Sequence, residues 1–318
     1  MDLSMSSNNH HVISFVHPTK LGLLDHAEAL TEYGTLLDEK RSYHTHTSIF
    51  NLAVNLIQMR RNGSQCICVF WDNSINTLIA MLLCSLFRVP KLYYLHEPGG
   101  IGQKLSKGDP FIYSLKAAFA ESLFKSVSSM VLVARCDKLA FGDYYAPLLF
   151  NDDRPVRVNS SRVIGFLGAK RNHRLYHIWQ RISAELVSKG YELREFPSAD
   201  YGKTNAEKVS FLSECACVWN CYGVPYNQSG VTGDCIASAV PCIVSGYEPF
   251  AKELKELELL IELDIKLPES EMVAQLIDQL EKNIKHDTAC KDRTHQFASE
   301  IGGRLAFSKY WLPIFHSL

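Results

Sequence analysis

Three short stretches of this sequence carry residues able to hold a small polar ligand. HEPGG (96–100) sets His96 and Glu97 directly after the apolar run KLYYL, and Gly99 and its neighbour keep side chains out of the way. Polar groups at the end of a buried strand suit ligand contact, the plain alternative being an exposed turn. GAKRNHR (168–174) clusters Lys170, Arg171 and Arg174 where a strand gives way to a helix. Cations beside the free amides of a helix start suit phosphate. No G-x-G-x-x-G or G-x-x-x-x-G-K motif occurs, so this reading rests on position, with a solvated basic turn as the alternative. YNQSGVTGDCIASAVPCIVS (226–245) is the third stretch. Its turn, Ser229, Gly230, Val231, Thr232 and Gly233, would present amides at a helix start. Asp234 would stand on the first turn, where a carboxylate suits the helix dipole and can accept two hydroxyl hydrogen bonds from a ribose.

The elements that must position these loops are legible as alternating apolar runs and helical patterns. HVISFV (11–16), CICVF (66–70), KLYYL (91–95) and SSMVLVA (128–134) read as strands, separated by helical stretches such as 75 to 87. Continuous apolar strands alternating with helices predict a parallel sheet covered on both faces. NDDRPVRVNSSR (151–162) is polar, charged and proline-containing, as a linker is. The alternation then restarts with RVIGFLG, YELREF, CACVWN and PCIVS, and ends in helical segments over 270 to 284 and 291 to 316. The expectation is an α/β chain of two tandem Rossmann-like, doubly wound domains, 1–155 and 156–318, facing a cleft. Ligands in such sheets bind outside the carboxyl ends of the strands, which is where all three stretches fall.

Composition narrows the function. Acids and bases nearly cancel, 34 against 33, so no field favours nucleic acid. The start, MDLSMSSNNHH, lacks an apolar signal core, and no apolar run approaches a bilayer span, so a cytoplasmic location is expected. The ten cysteines show no C-x-x-C spacing and read as small buried apolar residues. Residues 104 to 126 interleave Lys104, Lys107, Lys116 and Lys125 with Phe111, Tyr113, Phe119 and Phe124. They read first as a core helix with lysines at its rim, and second as a peripheral contact with an anionic membrane.

The run DCIASAVPCIVS resembles the nucleotide-sugar signature of the GT-B glycosyltransferases, usually written E-A-M-A-x-G-x-P-V-V. CACVWNCY, VIGFLGAKRNHR and YYLHEPG resemble the same family in order along the chain. The resemblance implies a metal-independent, hexosyltransferase-type enzyme with no cofactor. The donor would be a nucleotide-diphosphate sugar. The acceptor would be a glycan or lipid-linked molecule, as in cell-surface polysaccharide synthesis. It places Asp234 on the donor ribose, the amides before it on the diphosphate, the first domain on the acceptor and the second on the donor. The final helix would cross back to the first domain. His17, after the first strand, takes the place where inverting members keep a general base, with Asp25 to orient it. The chain departs from the retaining pattern E-x7-E: Tyr226 stands eight residues before Asp234, and Asp replaces the second Glu. A degenerate chain that binds a partner, or a nucleotide-sugar epimerase, are the rival readings. No D-x-D occurs, so no metal site is expected.

Overall fold

The computed structural model describes residues 11–16, 24–46, 48–71, 74–95, 111–134, 136–152, 161–168, 170, 172–196, 205–223, 229–246, 248–283 and 288–318. The chain divides into two compact units. One holds the described residues up to Pro147 together with Phe307–Leu318; the other is Leu148–Ala306. The division precedes the linker read from composition because Leu148, Leu149 and Phe150 are buried, and Phe150 packs with Ile236, Leu254 and Ala298 of the second unit. Of that linker, residues 153 to 160 lie outside the described residues.

Unit 1 is a six-stranded sheet of β1 (His11–Val16), β2 (Arg41–His46), β3 (Gln65–Phe70), β4 (Lys91–Leu95), β5 (Met130–Val133) and β6 (Tyr144–Tyr145). The order is β2-β1-β3-β4-β5-β6 and every pairing is parallel. Among the described residues, α1 (Leu24–Leu37), α2 (Ile49–Arg61), α3 (Ile75–Leu86) and α4 (Phe111–Val127) lie between these strands. Ser48 and Ser74 start α2 and α3 by accepting from the amides of Phe50 and Thr77, the usual service of a serine at an N-cap. On one sheet face Leu52, Leu56, Met81 and Phe124 cover Cys68, Phe70 and Tyr93. The other face is aromatic: Phe15, Tyr43, Trp71 and Tyr94 meet Phe307, Trp311 and Phe315 of the chain's end.

Unit 2 repeats the plan. Its strands are β7 (Val163–Leu167), β8 (Glu192–Phe196), β9 (Cys215–Trp219), β10 (Cys242–Val244) and β11 (Leu260–Glu262). They form a parallel sheet of order β8-β7-β9-β10-β11. The helices are α5 (Tyr176–Ser188), α6 (Asn205–Glu214), α7 (Gly230–Ala237), α8 (Ala251–Glu256), α9 (Glu269–Asn283) and α10 (Thr288–Ile301). Trp179, Ile182, Trp219, Met272 and Leu276 fill one side of the sheet, and Leu212, Val231, Cys235 and Val244 the other.

The final helical segment is broken where 291 to 316 was expected to continue. After α10 come α11 (Arg304–Ala306), a π-helical turn at Phe307–Trp311 and α12 (Leu312–His316). Gly302 and Gly303 sit at the break because the chain closes on itself there. A Cβ on Gly302 would fall 2.2 Å from the Phe150 ring, and one on Gly303 2.2 Å from the Asp152 carboxylate. Cys66, Cys68, Cys84, Cys215, Cys217, Cys221, Cys235 and Cys242 are buried free thiols.

Candidate functional site

In unit 2 the chain order reverses between β7 and β9. An α/β sheet of this order takes its ligand at that point, beyond the carboxyl ends of the strands. Three segments meet there: the turn after β7, the residues after β9 and the start of α7.

Arg174 is the cation of this corner. It ends a short 3₁₀ turn, Asn172–Arg174, and is 7% exposed. Its guanidinium lies over the rings of Phe166, at 5.6 Å, and Tyr222, at 5.0 Å. One Nη reaches the Trp219 carbonyl at 3.5 Å, and the indole of Trp219 donates back to the Arg174 carbonyl at 3.1 Å. Nε is buried without a hydrogen-bond partner. Among the described residues Arg174 has no carboxylate partner. Gly168 makes room for it: φ is +110°, and a Cβ would fall 2.7 Å from the guanidinium. Burying a cation without a counter-charge is costly, and here two aromatic rings and the Trp219 carbonyl surround the guanidinium.

The start of α7 adds donors. Thr232 and Gly233 already give their amides to the Ser229 carbonyl, at 3.1 and 3.4 Å. The amides of Gly230 and Val231 therefore carry the open end of the helix dipole. Beside Gly230 there is open space. Gly233 serves packing instead: its missing Cβ admits the Phe150 ring, 2.6 Å from where that carbon would be. Ser229 caps the helix by position only, since its hydroxyl donates to Asn220 Oδ1 at 3.0 Å and lies 3.3 Å from the Tyr222 hydroxyl. Tyr222 thus touches both the guanidinium and the helix cap.

Two of the residues expected to meet the ligand hold other partners. Lys170 pairs with Glu195, which also accepts from Tyr176 at 2.8 Å and Trp179 at 3.3 Å. The Glu195 pair raises the lysine's pKa. Asp234 stands on the second turn of α7, not the first, because the helix begins at Gly230. Its carboxylate is buried and lies 3.1 Å from the buried Lys208 ammonium of α6. His17, His96, Glu97, Gly99, Arg171 and Tyr226 lie outside the described residues.

Sequence reading missed a carboxylate. Glu248, just beyond β10, is buried and accepts from Thr232 Oγ1 at 3.2 Å, Asn220 Nδ2 at 3.5 Å and the Phe250 amide at 3.1 Å. Asn220 Nδ2 also donates to Thr232 Oγ1 at 2.9 Å. The ends of β9, α7 and β10 are thereby tied together, and Glu248 and Asn220 fix the start of α7. Its one sequence signal was an acid closely following the apolar run PCIVS. Among the described residues no three His, Cys, Asp or Glu side chains group as a metal site.

No family model and no curated protein matches the sequence. Solved structures do. HepE of Anabaena, solved with UDP, is similar over 97% of this chain and 100% of its own, at 10% identity and a TM-score of 0.59. It has also been solved with UDP-glucose. Sucrose-phosphate synthase of Thermosynechococcus elongatus is similar over 97% of this chain and 100% of its own, at 8% identity and a TM-score of 0.63. An α-glucosyltransferase solved with UDP and DNA is similar over 96% of this chain and 98% of its own, at 8% identity and a TM-score of 0.61. At such identities the likeness is one of fold, and that fold, two Rossmann-like units each with a parallel sheet, is the GT-B fold of glycosyltransferases.

Proposed function

We propose that this chain is a glycosyltransferase that moves a hexose from a nucleotide-diphosphate sugar to a glycan or lipid-linked acceptor, in the synthesis of a cell-surface polysaccharide. The observation that carries this reading is Arg174, a buried guanidinium with no carboxylate partner among the described residues, at the sheet's switch point. Arg174 and the amides of Gly230 and Val231 would hold the diphosphate. When the sugar leaves, negative charge grows on that diphosphate, and fixed positive charge at the corner stabilises it without reorganising. A divalent ion is then not needed for this step. Asp234 would accept the ribose hydroxyls, with Lys208 holding it in place. Unit 2 would bind the donor and unit 1 the acceptor, with His96, Glu97, Gly99 and His17 supplied by the loops of unit 1.

A second reading, a chain that holds a nucleotide sugar but transfers nothing, is favoured by the departure from E-x7-E, with Tyr226 standing eight residues before Asp234 where that pattern has its first Glu. The test is thermal stabilisation by a panel of nucleotide diphosphates and nucleotide sugars, followed by release of nucleotide diphosphate with and without a glycan acceptor. The transferase reading expects stabilisation, and release that depends on acceptor. Stabilisation without release would favour the non-transferring chain. No stabilisation by any member of the panel overturns both.

A further inference from the structure

Unit 1 carries a helix layer that is apolar on both sides. The inner side of α2, α3 and α4 packs on the sheet. The outer side of α3 shows Ile75, Ile79, Leu82 and Leu86, spaced by four, three and four, a single stripe along a helix. α2 repeats the stripe with Phe50, Val54 and Ile57, and α4 with Phe111, Leu115 and Phe119. These side chains are not grazing the surface: Phe50, Leu86 and Phe119 are 74%, 73% and 70% exposed. α3 touches both α2 and α4, so the stripes are neighbours. Among the described residues of unit 2, only Val187 and Leu305 are large apolar side chains left exposed. A soluble helix has one apolar face and needs one covering layer. A second apolar face spread over three adjacent helices needs another.

Charge says what the other layer is. α3 has no charged residue, while α2 and α4 carry Arg60, Arg61, Lys116 and Lys125. Their one acid, Glu121, is buried and bonded to Lys125 at 3.1 Å. Arg88 lies two residues beyond α3. In a chain whose acids and bases balance overall, this layer shows apolar stripes and cations with no exposed acid. Anionic lipid headgroups over acyl chains are the matching surface. A second copy of the layer would set cation against cation. At the ends of α2 and α3 a cavity of about 450 Å³ is lined by Met59, Leu86 and Phe87 with Arg60 and Arg88 beside them. Arg60 rests on the Phe87 ring, 5.9 Å from its centre. Two guanidinium groups at this cavity suit an anionic headgroup beside the apolar stripes. No described helix is long and apolar enough to cross a bilayer, so the layer would lie on the surface.

We propose that the outer face of α2, α3 and α4 docks on a bilayer surface containing anionic lipid. The inference is independent of the nucleotide-sugar reading, because vesicle binding and nucleotide binding are measured separately and fail separately. The purified full chain is floated with vesicles of phosphatidylcholine alone and with vesicles one third phosphatidylglycerol. The chain should float with the anionic vesicles and be released by salt. Leu82→Gln/Leu86→Gln/Phe119→Gln should lower the bound fraction by about tenfold, and Arg61→Glu/Lys116→Glu should do the same and remove the salt dependence. Since the replaced side chains are exposed, the helices should persist by circular dichroism. If the triple variant does not fold, Leu82→Trp in otherwise intact protein should be quenched by brominated lipid. No flotation with anionic vesicles overturns the proposal. So does equal binding to both vesicles that the variants leave unchanged, or an unquenched Leu82→Trp. A parent chain that ignores vesicles but self-associates, and becomes monomeric in the triple variant, would assign the face to a second copy instead.

Discussion

Arg174 concentrates the argument into one side chain. If its guanidinium is buried for a ligand, Arg174→Met should behave oppositely with and without that ligand. Without ligand the melting temperature should hold or rise, because an uncompensated buried charge has been replaced by an apolar chain. Nucleotide-diphosphate binding should weaken by about 1.5–3 kcal/mol, the worth of hydrogen bonds to a charged group, in calorimetry. Arg174→Ala should slow transfer by about 10²–10³, the usual loss for one electrostatic stabiliser, and transfer should survive a chelator. Loss of transfer in chelator, restored by magnesium or manganese, would give the diphosphate to a metal ion. Asp234 is tested through its partner. Asp234→Asn alone should destabilise by about 3–5 kcal/mol, since it strands the buried Lys208 ammonium. Asp234→Leu/Lys208→Met should recover the fold but not the ribose contact. If that double variant binds donor as tightly as the parent, Asp234 is structural only.

At the level of elements, glycines and the terminal segment decide how the pieces close. The Phe150 ring lies against Gly233 of α7 and Gly302 after α10, and the Phe150 amide donates to the Gly302 carbonyl at 2.8 Å. Gly233→Ala should therefore cost about 1–3 kcal/mol through overpacking, read from a denaturant midpoint. In unit 1 the Trp311 indole is fully buried and donates to the Pro147 carbonyl at 2.9 Å. Trp311→Ala should cost about 3–5 kcal/mol, the range for deleting a buried aromatic ring. Asp38 marks where the terminal segment reaches β2. It accepts from Arg41 at 3.0 Å and Tyr43 at 2.9 Å, and His316 of α12 lies 3.8 Å away. Burial pushes its pKa up, but the bonds from Arg41 and Tyr43 outweigh burial and hold it below the ordinary 3.8. A carboxyl with a depressed folded pKa stabilises above its unfolded value and loses that contribution as pH falls through the folded value. Melting curves below about pH 4 should thus fall less steeply for Asp38→Asn than for the parent.

For the whole molecule, one consequence of the chain's path is testable. Unit 1 is completed by Phe307–Leu318, whereas unit 2 has all its strands before Ala306. A chain ending at Ala306 should expose the aromatic face of unit 1 and leave the unit 2 sheet intact. Hydrogen exchange should rise across β1 to β4 while nucleotide-diphosphate binding persists. Loss of that binding, with unit 1 still protected, would show that the corner at Arg174 depends on more than its own unit. The two units share one strand order, so the same switch point recurs in each.

What the sequence settled by itself follows from local physics. Unbroken apolar runs such as HVISFV and VIGFL can be stable only as strands covered on both faces, and their alternation with helices imposes the parallel sheets. The sequence marks Arg174 as a cation between a strand and a helix, but its burial against Phe166 and Tyr222 belongs to the fold. The polar edge strand β2 was not legible: RSYHTH pairs on one side only and carries no apolar run. The break in the final helical segment was hidden as well, since Gly302 and Gly303 matter through Phe150 and Asp152, some 150 residues earlier. Pairings belong to the tertiary structure entirely. Lys170 meets Glu195, Asp234 meets Lys208, and Glu248 meets Asn220 and Thr232. Each joins separate elements, and only folding decides which charges are paired and which, like that of Arg174 among the described residues, meet no opposite charge.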